Sequence, residues 1–224
     1  MPSSAARLEN EALHSPILPL DLSGPTDAQL RPYIPEGIDL PADIPEAIFV
    51  HASKTYLELR RVDMQVLAQE TGVSRRTLYR KVRDRNHLLS QMHWYNTRVI
   101  LAEGLARSRH LSGADRLIAV YAHFLQSVAE SEPLRQQLHD EPENTLKIIT
   151  TKQGEVHGKV VAFIERFLQV ERGAGRMRDD LPPDALAFAI VRMGESFLYA
   201  DALTGENADY RFSVEMIGRL IRSR

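Results

Sequence analysis

The sequence predicts an all-α protein, on three observations. From residue 43 to the C-terminus, apolar residues recur at spacings of three and four, the repeat of one helix face. No run of alternating β-branched residues bounded by turns is present to make a strand. Helix start and stop residues fall where the apolar pattern begins and ends.

Residues 1–42 stand apart as a proline-rich arm. Pro2, Pro16, Pro19, Pro25, Pro32, Pro35 and Pro41 forbid a sustained helix, because each fixes φ and restricts the residue before it. The apolar Ile17, Leu18, Leu20, Leu22, Ile34, Ile38 and Leu40 leave two readings, a segment laid on a surface or a solvated one.

Residues 43–90 read as a helix-turn-helix unit. Asp43 followed by Glu46 resembles a capping box, and Ile44, Ile48, Ala52, Tyr56 and Leu59 then mark a first helix of about four turns. Asp63 caps a short second helix with Met64, Leu67 and Ala68 inward, stopped at Gly72. Ser74 caps a third helix with Leu78 and Val82 inward, which turns Arg75, Arg76, Thr77, Arg80 and Lys81 outward. Ala68 permits close crossing and Gly72 tolerates the turn's positive φ.

Charge supports a binding role for this unit. The whole chain carries a net charge of -2 with pI near 6.5, so it is not drawn to a polyanion as a body. Residues 54–91, however, hold nine Lys or Arg against four Asp or Glu. Such a local excess on a helix of this width is the footprint of a protein that meets DNA phosphate in the major groove. Arg75 and Arg76, near the helix start, are placed to reach base edges; Ser74, Tyr79 and Arg85 are placed to hold phosphates.

The stretch "LAQETGVSRRTLYRKVRDRNHLL" resembles the DNA-binding segment of the TetR family of bacterial repressors. Leu67-Ala68, Gly72-Val73-Ser74 and Thr77-Leu78-Tyr79 match the family pattern, and Arg85 stands where the family has lysine. Thr71, Val82 and Asp63 depart from it mildly. The resemblance implies a homodimer, an all-helical C-terminal ligand domain, and release of a palindromic DNA operator when a small-molecule effector binds. An architectural or ligand-blind DNA-binding protein is the alternative.

Residues 91–224 are accordingly expected to bind ligand and dimerise. After Asp84 a long fourth helix carries Leu88, Met92, Tyr95, Val99 and Ala102 on one face and Trp94, Arg98 and Leu101 on another. Ser112 and Asp115 open a fifth helix, and "EPLRQQLHD" reads as a sixth. From Pro142 to about Arg172, the stripe Leu146, Ile149, Gln153, Val156, Val160, Phe163 and Phe167 predicts one long helix, in which Gly154 and Gly158 either allow another helix to approach closely, the preferred reading, or mark a bend beside a cavity. Pro183 starts a helix that runs to Gly205, and Asn207 caps the last. These two are too apolar to be exposed. Phe188, Val191, Phe197, Leu198, Phe212, Met216 and Leu220 are therefore expected to pair with a second copy. This segment also resembles the C-terminal part of the QsdR branch of the family, linked to lactone-signal degradation, which implies an apolar or lactone/acyl-type effector.

Candidate ligand residues are Trp94, Tyr95, Tyr121, Phe124, Phe163, Phe167, Arg192, Glu195 and Tyr199. Aromatics at helical spacing equally suit a core, and Arg192 with Glu195 equally suits a structural ion pair. His123, His139 and His157 read as isolated structural histidines, so no metal is expected. No cofactor is expected either. With no cysteine, no G-x-S-x-G, no P-loop and no HExxH, the expectation is a non-enzyme. The absence of a basic-then-apolar N-terminus or an apolar run of spanning length predicts a cytoplasmic protein with no membrane partner.

Overall fold

The computed structural model describes residues 32–33, 44–178, 180–206 and 208–222. Among them it has no strand and eleven helices: α1 (Glu46–Leu57), α2 (Met64–Glu70), α3 (Arg75–Val82), α4 (Arg85–Arg107), α5 (Gly113–Ala129), α6 (Glu132–Asp140), α7 (Pro142–Thr150), α8 (Val156–Gly173), α9 (Pro183–Leu198), α10 (Ala200–Thr204) and α11 (Tyr210–Arg222).

Helices α1 to α3 form around the predicted signals. Asp63 accepts the backbone N–H of Gln65 and Val66 at 2.7 and 3.0 Å, and Ser74 Oγ accepts that of Thr77 at 3.1 Å. Each cap is worth about 1 kcal/mol. Gly72 makes the turn with φ +69°, and Leu78 and Val82 are fully buried. Helix α1 is shorter than predicted. Pro45 sits at its cap without a side-chain bond, and the Asp43 cap lies outside the described residues. Leu59, expected on the inner face, falls past the helix end at φ 56° and is 41% exposed.

The 23-residue α4, capped by Asp84 through the N–H of His87 at 2.8 Å, joins two hydrophobic clusters. Leu88, Leu89, Met92 and Tyr95 pack with α1, α2 and α3; Ile100, Leu101 and Leu105 pack with α5, α8 and α9. Both predicted faces are buried, Arg98 included. Gly104 lets α4 cross close to α5, since a β-carbon there would sit 3.3 Å from the Val120 backbone and press on it.

The predicted helix from Pro142 to Arg172 is two helices. The apolar stripe continues in sequence, but Glu155 takes a left-handed φ of 66°, which ends the run of helical hydrogen bonds. Gly154 lies in the break, where a β-carbon would overlap the Ile148 carbonyl, and the Gly154 carbonyl accepts from Ser90. Nothing approaches Gly158, so close packing does not account for it. The predicted Pro183–Gly205 helix is likewise interrupted at Tyr199, giving α9 and α10. Asn207 lies outside the described residues; Asp209 accepts the N–H of Arg211 at 2.9 Å.

Ser112 precedes α5 but makes no cap bond. The fully buried carboxylate of Glu171 instead accepts the N–H of Gly113 at 2.7 Å and is held by Arg176 at 2.8 and 2.9 Å. From the arm, Tyr33 is buried against α8: its ring stacks on Phe167 at 4.8 Å, and its hydroxyl accepts from Arg116 at 2.5 Å. The arm's seven apolar residues named above lie outside the described residues. No described helix is long and apolar enough to cross a membrane.

Candidate functional site

The outward face of α3 follows from its inward one. With Leu78 and Val82 locked inside, Arg75, Arg76, Arg80 and Lys81 are exposed, and Tyr79 is 46% exposed. Arg75 donates to Gln65 at 2.9 Å, which steers it along the α2 side. Thr77 is half-buried and its hydroxyl accepts from Ser74 at 2.9 Å, so the two polar groups closest to the helix start are already engaged with each other. Arg76, Arg80 and Lys81 have no carboxylate partner among the described residues.

Arg85 is turned elsewhere. Its Nη1 and Nη2 donate to the carboxylate of Glu141 at 2.6 and 3.0 Å and its Nε to the Val62 carbonyl at 2.7 Å. Arg61 also donates to Glu141, at 2.6 Å. Burial alone would raise the Glu141 carboxyl, but the hydrogen bonds from Arg85 and then Arg61 outweigh it and hold it below the ordinary glutamate range. In this arrangement Arg85 pairs with its own chain rather than standing free for a phosphate.

Between α1, α4, α5, α8 and α9 lies a cavity that is partly open to solvent. Its apolar wall includes Ile100, Phe124, Leu125, Val160 and Leu198; its polar groups include Tyr56, His93, Asn96, Tyr121, His157, Glu195 and Tyr199. The break between α7 and α8 borders it, with Ile149 on one side and Val156 and His157 on the other. Of the predicted ligand residues, Tyr121, Phe124, Glu195 and Tyr199 reach this wall. Trp94, Tyr95, Phe163 and Phe167 do not. Tyr95 packs edge-on to Phe49, and Phe163 and Phe167 pack against Tyr33, so all four serve the core.

Glu195 organises the polar end. One carboxylate oxygen pairs with Nδ1 of His157 at 2.8 Å, the other accepts from Arg192 at 2.9 Å, and Arg192 also donates to the Thr150 carbonyl at 3.1 Å. Burial pushes the Glu195 carboxyl above its ordinary range against the pull of these two partners. Arg192 itself stays outside the wall, with its guanidinium over Phe188 at 5.5 Å. His93 is buried; its Nε2 donates to Gln137 at 3.0 Å, and burial depresses it to about 4, so it is neutral at pH 7. No cluster of three or more metal-ligating side chains exists among the described residues.

Sequence reasoning missed Tyr56, His93 and Asn96, and it read His157 as a singleton. The pairing of His157 with Glu195 spans 38 residues and leaves no local signal.

On the α9 and α11 surface, Phe188 is 51%, Phe212 60%, Met216 40% and Leu220 37% exposed, while Phe197 and Leu198 are half-buried. Val191 differs from expectation. It is buried in its own chain and lines the cavity, because it shares the inner face of α9 with Ala187 and Gly194.

Comparison with known proteins gives a consistent picture. The sequence model of the tetracyclin repressor-like C-terminal domain matches residues 112–222. The solved structure of the R. erythropolis transcriptional repressor QsdR, from the TetR family, is similar with a TM-score of 0.71 and 26% identity, covering 88% of this chain and 96% of that one. No curated protein matches the sequence.

Proposed function

Because the chain belongs to the TetR family of transcriptional regulators, we propose that it binds a palindromic operator as a homodimer and lets go when a small, apolar or lactone/acyl-type effector fills the cavity. One observation carries the reading: α3 displays Arg76, Arg80 and Lys81 in solvent, on a helix fixed by the Ser74 cap and two fully buried side chains. Cations that cost nothing to present and have no internal partner are suited to phosphate and guanine. Arg75 and Arg76 read bases, and Ser74, Thr77, Tyr79, Arg80 and Lys81 set the register on the backbone.

The exposed apolar residues of the α9 and α11 surface support dimerisation, since a two-fold axis through that face would bury them. Two α3 helices would then enter successive major grooves, roughly 34–36 Å apart. A ligand that favours the other spacing by about 1–3 kcal/mol changes occupancy five- to about 150-fold.

The test is selection of duplexes from a random pool, followed by titration of the recovered sequence at several salt concentrations. An inverted repeat with half-sites one turn apart, bound with a steep salt dependence, is expected; recovery of no preferred sequence would overturn the regulator reading. A recovered operator that none of a panel of lactones and acyl compounds displaces would favour a ligand-blind DNA binder instead.

A further inference from the structure

Two tyrosine hydroxyls on the cavity wall make no hydrogen bond. The side chains of Tyr56 and Tyr199 are buried, both residues line the wall, and neither hydroxyl bonds to another of the described residues, so both stay available to the space. Burial raises both phenols, and the nearby Glu195 and then Tyr56 add to the rise at Tyr199, so each keeps its proton and remains a donor at neutral pH. Buried polar groups are nearly always paired, and exceptions call for a ligand or a cost. Asn96, on the same wall, adds a buried side-chain oxygen without a donor.

Resting on the reading of this cavity as the effector site, we propose that Tyr56 and Tyr199 together bind an uncharged hydrogen-bond acceptor of the effector, so that the effector is grasped directly by helix α1 of the helix-turn-helix unit. The chemical class follows from the rest of the wall. An acceptor faces the two hydroxyls, an N–H or O–H beside it satisfies Asn96, and a hydrocarbon body meets Ile100, Phe124, Leu125 and Val160. An amide or hydroxy-carbonyl compound meets these demands.

Ions do not. Arg192 and the ring of His157, near the polar end, are both committed to Glu195, and both oxygens of Glu195 are taken in return. A bound carboxylate or ammonium would lose its water without gaining a counter-charge.

The arrangement also places the reading group on the right element. Tyr56 is the next-to-last residue of α1, edge-on to His93 of α4 at 5.6 Å, with the α2 and α3 core on its other side. A ligand that draws on the Tyr56 hydroxyl therefore biases α1 itself, as well as the tilt of α4.

The experiment uses octanamide, octanoate and octylamine at pH 7.5 with the full chain, by calorimetry and thermal shift, and repeats each with Tyr56→Phe and Tyr199→Phe. Octanamide is expected to bind at least about tenfold more tightly than either ion. Each phenylalanine variant should weaken octanamide about fivefold or more while leaving the melting temperature of the ligand-free protein unchanged, because no bond is lost there. Octanoate rivalling octanamide, Tyr56→Phe binding octanamide as the parent does, or none of the three binding would each overturn the proposal. Release of the selected operator is measured separately. If octanamide binds through Tyr56 yet leaves DNA bound, the hydroxyl pair stands and the effector reading fails.

Discussion

Arg85 opens α4 and gives both terminal nitrogens of its guanidinium to Glu141, at 2.6 and 3.0 Å, across 56 residues of sequence. The pair ties the start of the long connecting helix to the joint between α6 and α7, the same two helices that contribute Leu134 and Ile149 to the cavity wall. A carboxylate therefore occupies the fork that the sequence assigned to a DNA phosphate.

Removing that carboxylate should free the fork. Glu141→Gln is expected to lower stability by about 1–3 kcal/mol, to raise affinity for random and selected duplex alike, and to steepen the salt slope by about one. Denaturant melts and salt-dependent titrations check this, and an unchanged slope would show that Arg85 never reaches phosphate. Arg85→Ala in the same background should abolish the gain.

Arg76 and Lys81 separate base reading from phosphate holding. Arg76→Ala should cost about 1–3 kcal/mol on the selected operator and little on random duplex. Lys81→Ala should weaken both equally and flatten the salt slope. Equal losses on the two duplexes for Arg76→Ala would remove its base-reading role.

The exposed aromatic at the start of α11 tests the assembly. Phe212→Asp puts a charge into the 60%-exposed apolar surface without touching the chain's own core. The variant should run as a monomer by light scattering, keep its melting behaviour at concentrations where the parent is dissociated, and lose roughly two orders of magnitude in operator affinity as the two half-sites become independent. A monomeric parent protein would count against the same idea.

His93 gives a pH signature. Burial holds it near 4 in the fold, whereas an unfolded histidine titrates near about 6.5. The unfolded chain therefore binds the extra proton first, so stability is complete above about pH 6.5 and falls as pH drops from there toward about 4. The loss attributable to this ring is up to about 3 kcal/mol. Unfolding curves between pH 4 and 8 should show it, and His93→Gln should flatten that limb while lowering the plateau.

What could be read in advance was set locally. Asp63 and Ser74 cap as their spacing demands, and Leu78 and Val82 turn α3's cations outward, because such bonds and faces are fixed within a few residues. The division at α7 and α8 was not legible, since Ile149, Gln153, Val156 and Val160 keep helical spacing across a backbone that is no longer helical. Nor was the cavity. Phe163 and Tyr121 have similar surroundings in sequence, yet one packs under Tyr33 and the other faces the space, a distinction made by which helix arrives from elsewhere. Tyr56 looked like an ordinary inward residue of α1. Its direction is inward, but what lies inside there is a wall shared with α4, α5 and α9.

Tyr33 bears on how the gene can be cut. Starting an expression plasmid at the first helix would discard a ring that plugs the outside of α8, strip Phe167 of its stacking neighbour and leave the Arg116 guanidinium short of an oxygen. A shortened product would then carry a greasy scar far from the DNA-reading end, and its poor behaviour in the tube would say nothing about the regulator itself.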